Sequence, residues 1–438
     1  MSITARQRIP HLLFDCLDSI SRYHIVDVVH HYALLPRASM TQSKTPFIVV
    51  LSLAMTMMLG PFSMDTYLPA FPVIGESLGI SQQAVSLSVS VYVFALALGQ
   101  LIGGALSDRF GRQRVLMSGL AIFALSSIVI GMADSLNTLL GGRAIQAIGA
   151  GLTLVSVPAL VRDRVAGRDA AKLFSMMGFI MVLAPGIAPS VGSAILALGS
   201  WHYIFFALAV YALLLVPLLV RVIFTGTGKV SRAKSPKMSL LARYKLVLST
   251  KPALPFIVWQ AASFSTLMMF ITYASFIYQG HFGQSPSSFS MLFAANIVAM
   301  LIFNILNRVL LSRLPSLRIL QLATGCQAVG IVLLVMAAFM DWSLYAFLAA
   351  MMLTIGAVGA ISPNIQACFL EFFPTSGGTA AALLGAAQFG VAGLLSALSA
   401  MLPHTLEAVI LAMAACGSVA YLMLARSIIK GRAAVEAH

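Results

Sequence analysis

Residues 252–307 form one unbroken stretch that contains no Asp, Glu, Lys or Arg. A helix that crosses the apolar core of a bilayer needs about 20 mostly apolar residues, so this stretch is too long for a single crossing. Residues 280–286 (GHFGQSP) have the composition of a turn and divide the stretch in two. The pattern therefore predicts two membrane-spanning helices joined by a short connection.

The composition of the whole chain supports the same interpretation. Of its 438 residues, 60% are hydrophobic and only 9% are charged, whereas a soluble domain is about half apolar and about one quarter charged. So few charged residues could not keep the surface of a water-soluble enzyme hydrated. So large an apolar fraction also excludes a disordered chain.

Twelve apolar runs can be counted along the sequence, six on each side of a polar central segment. The runs are residues 46–67, 84–106, 115–133, 138–160, 172–198, 202–224, 253–278, 288–310, 318–340, 344–369, 378–401 and 406–429. Membrane-spanning β-strands would give shorter segments of alternating polarity. We therefore expect an all-α integral membrane protein with twelve transmembrane helices in two six-helix bundles.

Charged residues are distributed unevenly among the connections. Lys and Arg follow the second, fourth, sixth and eighth runs and end the chain, whereas the other connections contain Glu76, Asp134, Asp341 and Glu407 and no Lys or Arg. Because basic connections stay on the cytoplasmic side of a membrane, both termini and the central connection are predicted to be cytoplasmic. The net charge of +14 then needs no nucleic-acid partner, which is the alternative that such a charge raises.

These observations predict five segments. Residues 1–45 form a cytoplasmic extension, 46–224 the first six-helix bundle, 225–252 a basic cytoplasmic linker, 253–430 the second bundle and 431–438 a cytoplasmic tail. Within the extension, residues 1–39 differ in composition from the rest of the chain. They are either dispensable or a cytoplasmic amphipathic segment.

The connection after the second run carries a recognisable motif. Its residues are Gly104-x-Leu106-x-Asp108-Arg109-x-Gly111-Arg112, and they resemble the signature of the major facilitator superfamily. The resemblance implies two six-helix bundles with a substrate site between them. It also implies that Gly104, Asp108, Arg109, Gly111 and Arg112 form a latch that holds one conformation, the alternative being a purely topological basic anchor.

Further motifs narrow the resemblance. Residues 143–151 (RAIQAIGAG) and the Gly- and Pro-rich fifth run resemble motifs of drug:proton antiporters, and the motif residues of the fifth run are Gly178, Pro185, Gly186, Pro189 and Gly192. The segments 65–72 (DTYLPAFP), 200–205 (SWHYIF) and 362–364 (SPN) resemble the bicyclomycin-resistance group. The resemblance to that group implies that the protein exports small lipophilic drugs across the bacterial inner membrane and that this export is coupled to proton entry. A proton-coupled carrier of a purine, peptide or amino acid remains the alternative.

Two charged residues fall inside predicted spans. Asp65 lies near the end of the first run, and Arg143 lies in the fourth. Ionisable residues within a membrane are functional candidates by default, so both are predicted to couple transport to protons. The structural alternatives are that Asp65 caps a helix end and that Arg143 joins helices by hydrogen bonds, with Gln146 as a partner.

Polar and aromatic residues of the other spans are candidates for the wall of a substrate cavity. They are Tyr67, Tyr92, Gln100, Gln146, Phe264, Tyr273, Phe276, Asn296, Asn364 and Gln388. Gln260, Asn304 and Gln327 are further polar residues of the spans, which either face the cavity or pack helices together.

Other classes of membrane protein lack support in the sequence. Residues 226–230 (GTGKV) do not complete the phosphate-binding loop of an ATP-driven pump, and no catalytic constellation or charged ring indicates an enzyme or a channel. The four cysteines are not spaced as metal ligands. We therefore expect no enzyme activity, cofactor or metal, and a monomer whose partners are a small-molecule substrate, protons and lipid.

Overall fold

The computed structural model describes residues 47–164, 177, 184–224, 240–373 and 377–436, and these residues form helices with no β-strand among them. The helices before residue 225 are α1 (Phe47–Asp65), α2 (Phe71–Leu78), α3 (Gln82–Phe110), α4 (Arg112–Ile130), α5 (Leu136–Arg164), α6 (Ala184–Leu196) and α7 (His202–Leu219). The later helices are α8 (Leu240–Ser249), α9 (Leu254–Ser275), α10 (Pro286–Leu310), α11 (Ser316–Phe339), α12 (Leu344–Gly356), α13 (Val358–Leu370), α14 (Gly377–Ser399) and α15 (Leu406–Glu436).

Most of these helices are long and apolar enough to cross a bilayer. When α1 is joined to α2 and α12 to α13, the described residues contain 11 such helices, and α6 is a further, shorter apolar helix in the place of the predicted fifth span. Many large apolar side chains, such as Leu214, Ile305 and Leu422, are more than half exposed. Apolar exposure on this scale is stable only against lipid, and together with the membrane-length helices it confirms the expected all-α membrane fold.

The first span is longer than the sequence predicts. Helix α1 ends at Asp65, but a 3-10 turn at Leu68–Ala70 leads directly into α2, and the combined helix reaches Leu78. Pro69 and Pro72 lie at the first positions of these two segments, where the missing N–H group of proline is tolerated. The prolines therefore interrupt the helix without ending it, and Asp65 lies well inside the span rather than near its end.

The connections define two faces of the helix bundle. The face that carries residues 79–81, 131–135, 197–201, 282–285, 340–343 and 400–405 contains Asp134 and Asp341 and no Lys or Arg, and we call it the acidic face. The opposite face carries the ends of α3, α10 and α13, with Arg109 and Arg313 nearby, and we call it the basic face. Alternate connections fall on alternate faces, as the predicted topology requires.

Glycines allow the helices of the first half to pack closely. Helices α3 and α4 both pack on α5. A Cβ atom added to Gly149 of α5 would lie 2.7 Å from the carbonyl oxygen of Gly119 in α4. Contacts of this kind bring backbones together where apolar side chains would hold them apart.

Several helix contacts join the first half of the chain to the second. Helix α14 packs along both α3 and α9, and Ser90 of α3 lies 2.7 Å from Ser396 of α14 between their hydroxyl oxygens. Helix α6 meets α10, where the hydroxyl oxygens of Ser193 and Ser290 are 2.7 Å apart. Residues Phe47–His438 form one compact unit, so the boundary between two bundles stays a prediction.

The structure describes nothing of one predicted segment and only part of another. The predicted extension at residues 1–45 lies outside the described residues. In the predicted linker at 225–252, residues 225–239 are also outside them, and the remainder contains α8.

We predict that Gly149→Ala lowers the melting temperature of the detergent-purified protein, because the new methyl group would meet backbone atoms that cannot move away. The expected loss is about 1–3 kcal/mol of folding free energy. Gly141→Ala in the same helix is the control, since a Cβ atom there meets nothing within 4 Å. Equal melting temperatures for the two variants would contradict this account of the α4–α5 contact.

Candidate functional site

Arg143 lies completely buried in the middle of the first-half helices. Its guanidinium carbon is 4.0 Å from the centre of the Tyr92 ring and 4.4 Å from the centre of the Tyr67 ring. Aromatic faces attract a cation, and the attraction strengthens when water is excluded. The two tyrosines, which the sequence places in a substrate cavity, therefore contact Arg143 in this structure and are themselves fully buried.

Hydrogen bonds fix the orientation of the guanidinium. Arg143 Nη1 donates to Gln146 Oε1 at 2.7 Å and to the Ser63 carbonyl oxygen at 3.3 Å. Gln146 Nε2 in turn donates to Ser127 Oγ of α4 at 2.7 Å. Gln146 stands one helical turn after Arg143 on α5, so this amide links the charge to α4 rather than facing an open cavity.

The end of α1 is tied to the same cluster through Ser63. Ser63 Oγ donates to the Tyr92 hydroxyl oxygen at 2.8 Å, and the Tyr92 hydroxyl donates to the Gly60 carbonyl oxygen at 3.1 Å. The Tyr67 hydroxyl lies 2.7 Å from Ser88 Oγ of α3. The hydroxyl groups of Tyr67 and Tyr92 thus both take part in hydrogen bonds between α3 and the end of α1 or the turn after it. Neither ring can therefore leave Arg143 without breaking a buried hydrogen bond.

Asp65 is the acid of this cluster, and no residue that the structure describes forms a hydrogen bond with its carboxylate. The residue is completely buried, and neither carboxylate oxygen has a hydrogen-bond partner among the described residues. Arg143 is close enough to interact with it electrostatically, but Arg143 Nε and Nη2 also have no partner there. A helix cap would need Asp65 to accept a hydrogen bond, and it accepts none from the described residues.

Helix α6 approaches the chain immediately beside Asp65. A Cβ atom added to Gly192 would overlap the Thr66 carbonyl oxygen, so only glycine fits there. On the following residue, Ser193 Oγ donates to the Pro286 carbonyl oxygen at 3.0 Å. Helix α6 therefore connects the turn that follows Asp65 to the start of α10 in the second half.

Among the other predicted motif residues, Gly186 has more space around it than Gly192 has. A Cβ atom added to Gly186 would make ordinary contact with Ile297 of α10 at 3.4 Å. Pro185 and Pro189 lie within α6. The predicted residue Gly178 lies outside the described residues.

A second polar cluster lies where α9 meets α13 and α14. Gln260 Nε2 donates to Gln388 Oε1 at 2.6 Å and to Ser362 Oγ at 3.1 Å. One turn further along, the rings of Phe264 and Phe389 meet edge to face with centroids 5.0 Å apart. The structure thus brings together Phe264 and Gln388, which the sequence analysis predicts to line a substrate cavity. Ser362 and Phe389, which it does not name as cavity residues, lie in the same cluster.

Gln100 of α3 lies beside the same part of α14. A Cβ atom added to Gly385, one turn before Gln388, would be 3.5 Å from Gln100 Oε1. Gln100 is on α3 eight residues after Tyr92, a separation of about 12 Å along a helix. The amide cluster and the Arg143 cluster therefore lie at two levels of one helix.

Two predicted cavity residues lie toward the acidic face. The Tyr273 hydroxyl is 2.9 Å from Ser399 Oγ at the end of α14. The Phe276 ring is 4.6 Å from the ring of His404, centroid to centroid, in the connection before α15. Burial lowers the pKa of His404, which favours its neutral form in this contact.

The last two predicted cavity residues, Asn296 and Asn364, form hydrogen bonds elsewhere between helices of the second half. Asn296 Nδ2 donates to the Tyr278 hydroxyl oxygen at 3.1 Å, which joins α10 to the π-helical turn after α9. Asn364 Nδ2 donates to Asn307 Oδ1 at 2.7 Å, which joins α13 to α10. Neither residue belongs to the two clusters, and their assignment to a substrate cavity stays a prediction.

The predicted latch lies at the junction of α3 and α4. Gly111 is the only residue between these helices, and its φ of +94° is one that side-chain-bearing residues avoid. Arg112 Nη1 donates to Ser107 Oγ at 3.2 Å, and Arg109 lies over the Phe110 ring at 5.2 Å. Gly104 faces Val155 of α5, and the Asp108 side chain lies outside the described residues.

Comparison with known proteins decides which family has this architecture. The model of the major facilitator superfamily matches residues 53–397. The chain belongs to the major facilitator superfamily. The resemblance seen in residues 104–112 is thereby confirmed.

Named relatives and solved structures agree with this membership. The chain is 30% identical over 379 residues to a bicyclomycin resistance protein homolog of Haemophilus influenzae, covering 86% of this chain and 95% of that protein. It is 31% identical over 330 residues to a chloramphenicol resistance protein of Pseudomonas aeruginosa, covering 72% and 76%. The partially occluded, inward-open xylose transporter XylE from E. coli has the same fold, with a TM-score of 0.66, 17% identity and coverage of 86% and 96%.

The family and the fold together establish the general class of the protein. It is a multi-pass membrane protein and a transporter of small molecules rather than an enzyme. For a transporter, the Arg143 cluster with Asp65 is the candidate proton site, and the amide cluster around Gln260 is the candidate substrate site.

We predict that Arg143→Lys lowers the melting temperature of the purified protein, with a loss of about 1–3 kcal/mol. An ammonium group lacks the planar fork that lies against two rings while donating to Gln146 and Ser63. Arg109→Lys is the matched control, because Arg109 is exposed and contacts only one ring. If Arg143→Lys melts at the temperature of that control, the ring contacts do not hold the guanidinium.

Proposed function

We propose that this protein exports small, mostly lipophilic drugs across the bacterial inner membrane in exchange for protons. The observation that carries the proposal is the state of Asp65, which is buried next to a permanent cation and has no hydrogen-bond partner among the described residues. A carboxylate in such surroundings is costly to keep charged unless a partner compensates it. Exchange of a proton at Asp65 would therefore alter the balance of charge around Arg143.

The relatives support the choice of substrate. Two of them are named for resistance to bicyclomycin and to chloramphenicol, and further relatives from Escherichia coli are named as multidrug resistance proteins. Resistance by a membrane transporter is achieved by moving the drug out of the cell. A proton-coupled carrier of a metabolite on the same fold is the competing proposal.

The distribution of charge supports an orientation. The basic face is proposed to be cytoplasmic, with both termini on that side, because Lys and Arg stay on the cytoplasmic side during membrane insertion. Protons would then reach Asp65 from the acidic face. We propose that one chain is the functional unit within the lipid bilayer.

The proposed mechanism is alternating access. A proton entering from the acidic face binds Asp65 and displaces the drug to that side. The protonated carrier then turns inward and releases the proton to the cytoplasm, after which a new drug molecule binds. Each charge that moves inward through the membrane potential contributes about 2.3 kcal/mol per 100 mV, which drives the cycle toward export.

Two elements are proposed to act during this change. Gly104, Asp108, Arg109, Gly111 and Arg112 are proposed to latch one conformation at the basic face. Helix α6, with Pro185, Gly186, Pro189 and Gly192 and the predicted residue Gly178, is proposed to seal the path beside Asp65 against proton leak. The close contact between Gly192 and Thr66 supports this second role.

Proton movement in inside-out vesicles tests the proposal. A gradient that is acidic inside is imposed, a pH-sensitive dye reports the lumen, and chloramphenicol is added outside. With wild type, we expect the drug to make the lumen less acidic as protons leave. Asp65→Asn should abolish this response, since an amide cannot carry the proton.

Glu76→Gln is the control for that experiment, because Glu76 is an exposed acid on α2, eleven residues after Asp65, and should respond like wild type. A wild-type response from Asp65→Asn would remove Asp65 from the mechanism. Responses only to purines, peptides or amino acids would replace drug export by metabolite transport.

A further inference from the structure

The amide cluster around Gln260 has polar atoms that form no hydrogen bond with the residues the structure describes. Gln260 is 3% exposed, and its amide nitrogen donates to both Gln388 and Ser362. Its Oε1 atom is buried and has no hydrogen-bond partner among the described residues. A buried amide acceptor without a partner is destabilising, and such atoms in native proteins call for an explanation.

A matching donor lies beside the same stretch of α14. Gln100 Nε2 is also buried and has no partner among the described residues, and its Oε1 is beside Gly385. The two orphan atoms, one acceptor on α9 and one donor on α3, therefore flank the same stretch of α14. Gln100 belongs to the first half of the chain and Gln260 to the second, so a ligand that satisfies both atoms would connect the halves.

The surroundings of the cluster are aromatic and uncharged. Phe264 and Phe389 meet edge to face beside Gln260, and both are only partly buried, as are Ser362 and Gln388. No Asp, Glu, Lys or Arg occurs among the buried residues described in α9–α15. A charged ligand would leave water here without gaining a counter-charge, whereas an uncharged ring would gain contact with the phenylalanines.

We infer that Gln260, Gln388 and Gln100, with Phe264 and Phe389, form the site that selects uncharged aromatic substrates carrying an amide or hydroxyl donor and a separate acceptor. The donor binds Gln260 Oε1 and the acceptor binds Gln100 Nε2. This inference rests on the proposed transport of drugs and names the class of drug. It separates substrate choice at the amide cluster from proton binding at Asp65, since Gln100 and Tyr92, which belong to the two clusters, are about 12 Å apart along α3.

Ligand binding to the purified full chain in detergent tests this assignment. The probes are chloramphenicol, an uncharged aromatic amide, and tetraphenylphosphonium, an aromatic cation without hydrogen-bond donors. We expect Gln260→Leu to weaken chloramphenicol binding about tenfold, since it removes the acceptor and frees Gln388 from its partner. Binding of tetraphenylphosphonium to this variant should not weaken.

Two further variants guard against trivial outcomes. Gln100→Leu, in the other half of the chain, should also weaken chloramphenicol binding selectively and keeps the test valid if Gln260→Leu does not fold. Gln321→Leu is the matched control, because Gln321 donates to Ser427 between α11 and α15 at 3.1 Å, away from the cluster. It should leave both affinities unchanged.

Several results would overturn the inference. They are equal weakening of both probes by Gln260→Leu and Gln100→Leu, unchanged chloramphenicol binding in both, and no chloramphenicol binding to wild type. These results are distinct from failure of the proposed exchange. Selective binding that depends on Gln260, without any proton movement in vesicles, would reject proton coupling and leave this site standing.

Discussion

Arg143 carries a charge that it cannot give up, and the helices of the first half are arranged around it. A guanidinium group stays protonated at any physiological pH, yet this one is completely buried. Tyr67 and Tyr92 provide attractive faces in place of water, and Gln146 and the Ser63 carbonyl accept its hydrogen bonds. Four helices, α1, α3, α4 and α5, therefore contribute to the stability of one charge.

In the proposed mechanism, Asp65 is the group whose protonation matters most. It lies on the chain segment that leads into Tyr67, and α6 contacts the next residue, Thr66. A change of charge at Asp65 is therefore adjacent to a ring that holds Arg143 and to a helix that contacts α10. We infer that proton binding acts through these contacts, whereas the substrate is recognised at a different level of α3.

The fold was largely predictable from the sequence, because the bilayer imposes a simple rule of length and polarity on every span. The end of the first span was not, since two prolines ordinarily indicate a break and here occupy positions that tolerate them. Arg143 and Asp65 could be recognised as unusual because a charge in an apolar run stands out. Their partners could not, because serines such as Ser63 and Ser127 are common in membrane helices and carry no distinguishing pattern.

The same limit applies to the amide cluster. Gln260 and Gln388 are separated by 128 positions along the chain, and no spacing in the sequence relates them. Phe389 stands next to Gln388, but a single phenylalanine in an apolar helix is unremarkable. Only the packing of α9 against α14 brings these residues together and shows that one amide oxygen has no partner in the part of the chain that the structure describes.

Release of protons on drug binding is the most direct test of the central claim, that drug and proton compete through Asp65. Chloramphenicol is added to purified protein in weakly buffered detergent solution near neutral pH, and an indicator dye records the protons released. If binding and protonation are linked, wild type should release up to about one proton for each drug bound, and Asp65→Asn should release none while still binding the drug. Saturating binding without proton release from wild type, or equal release from Asp65→Asn, would contradict the account.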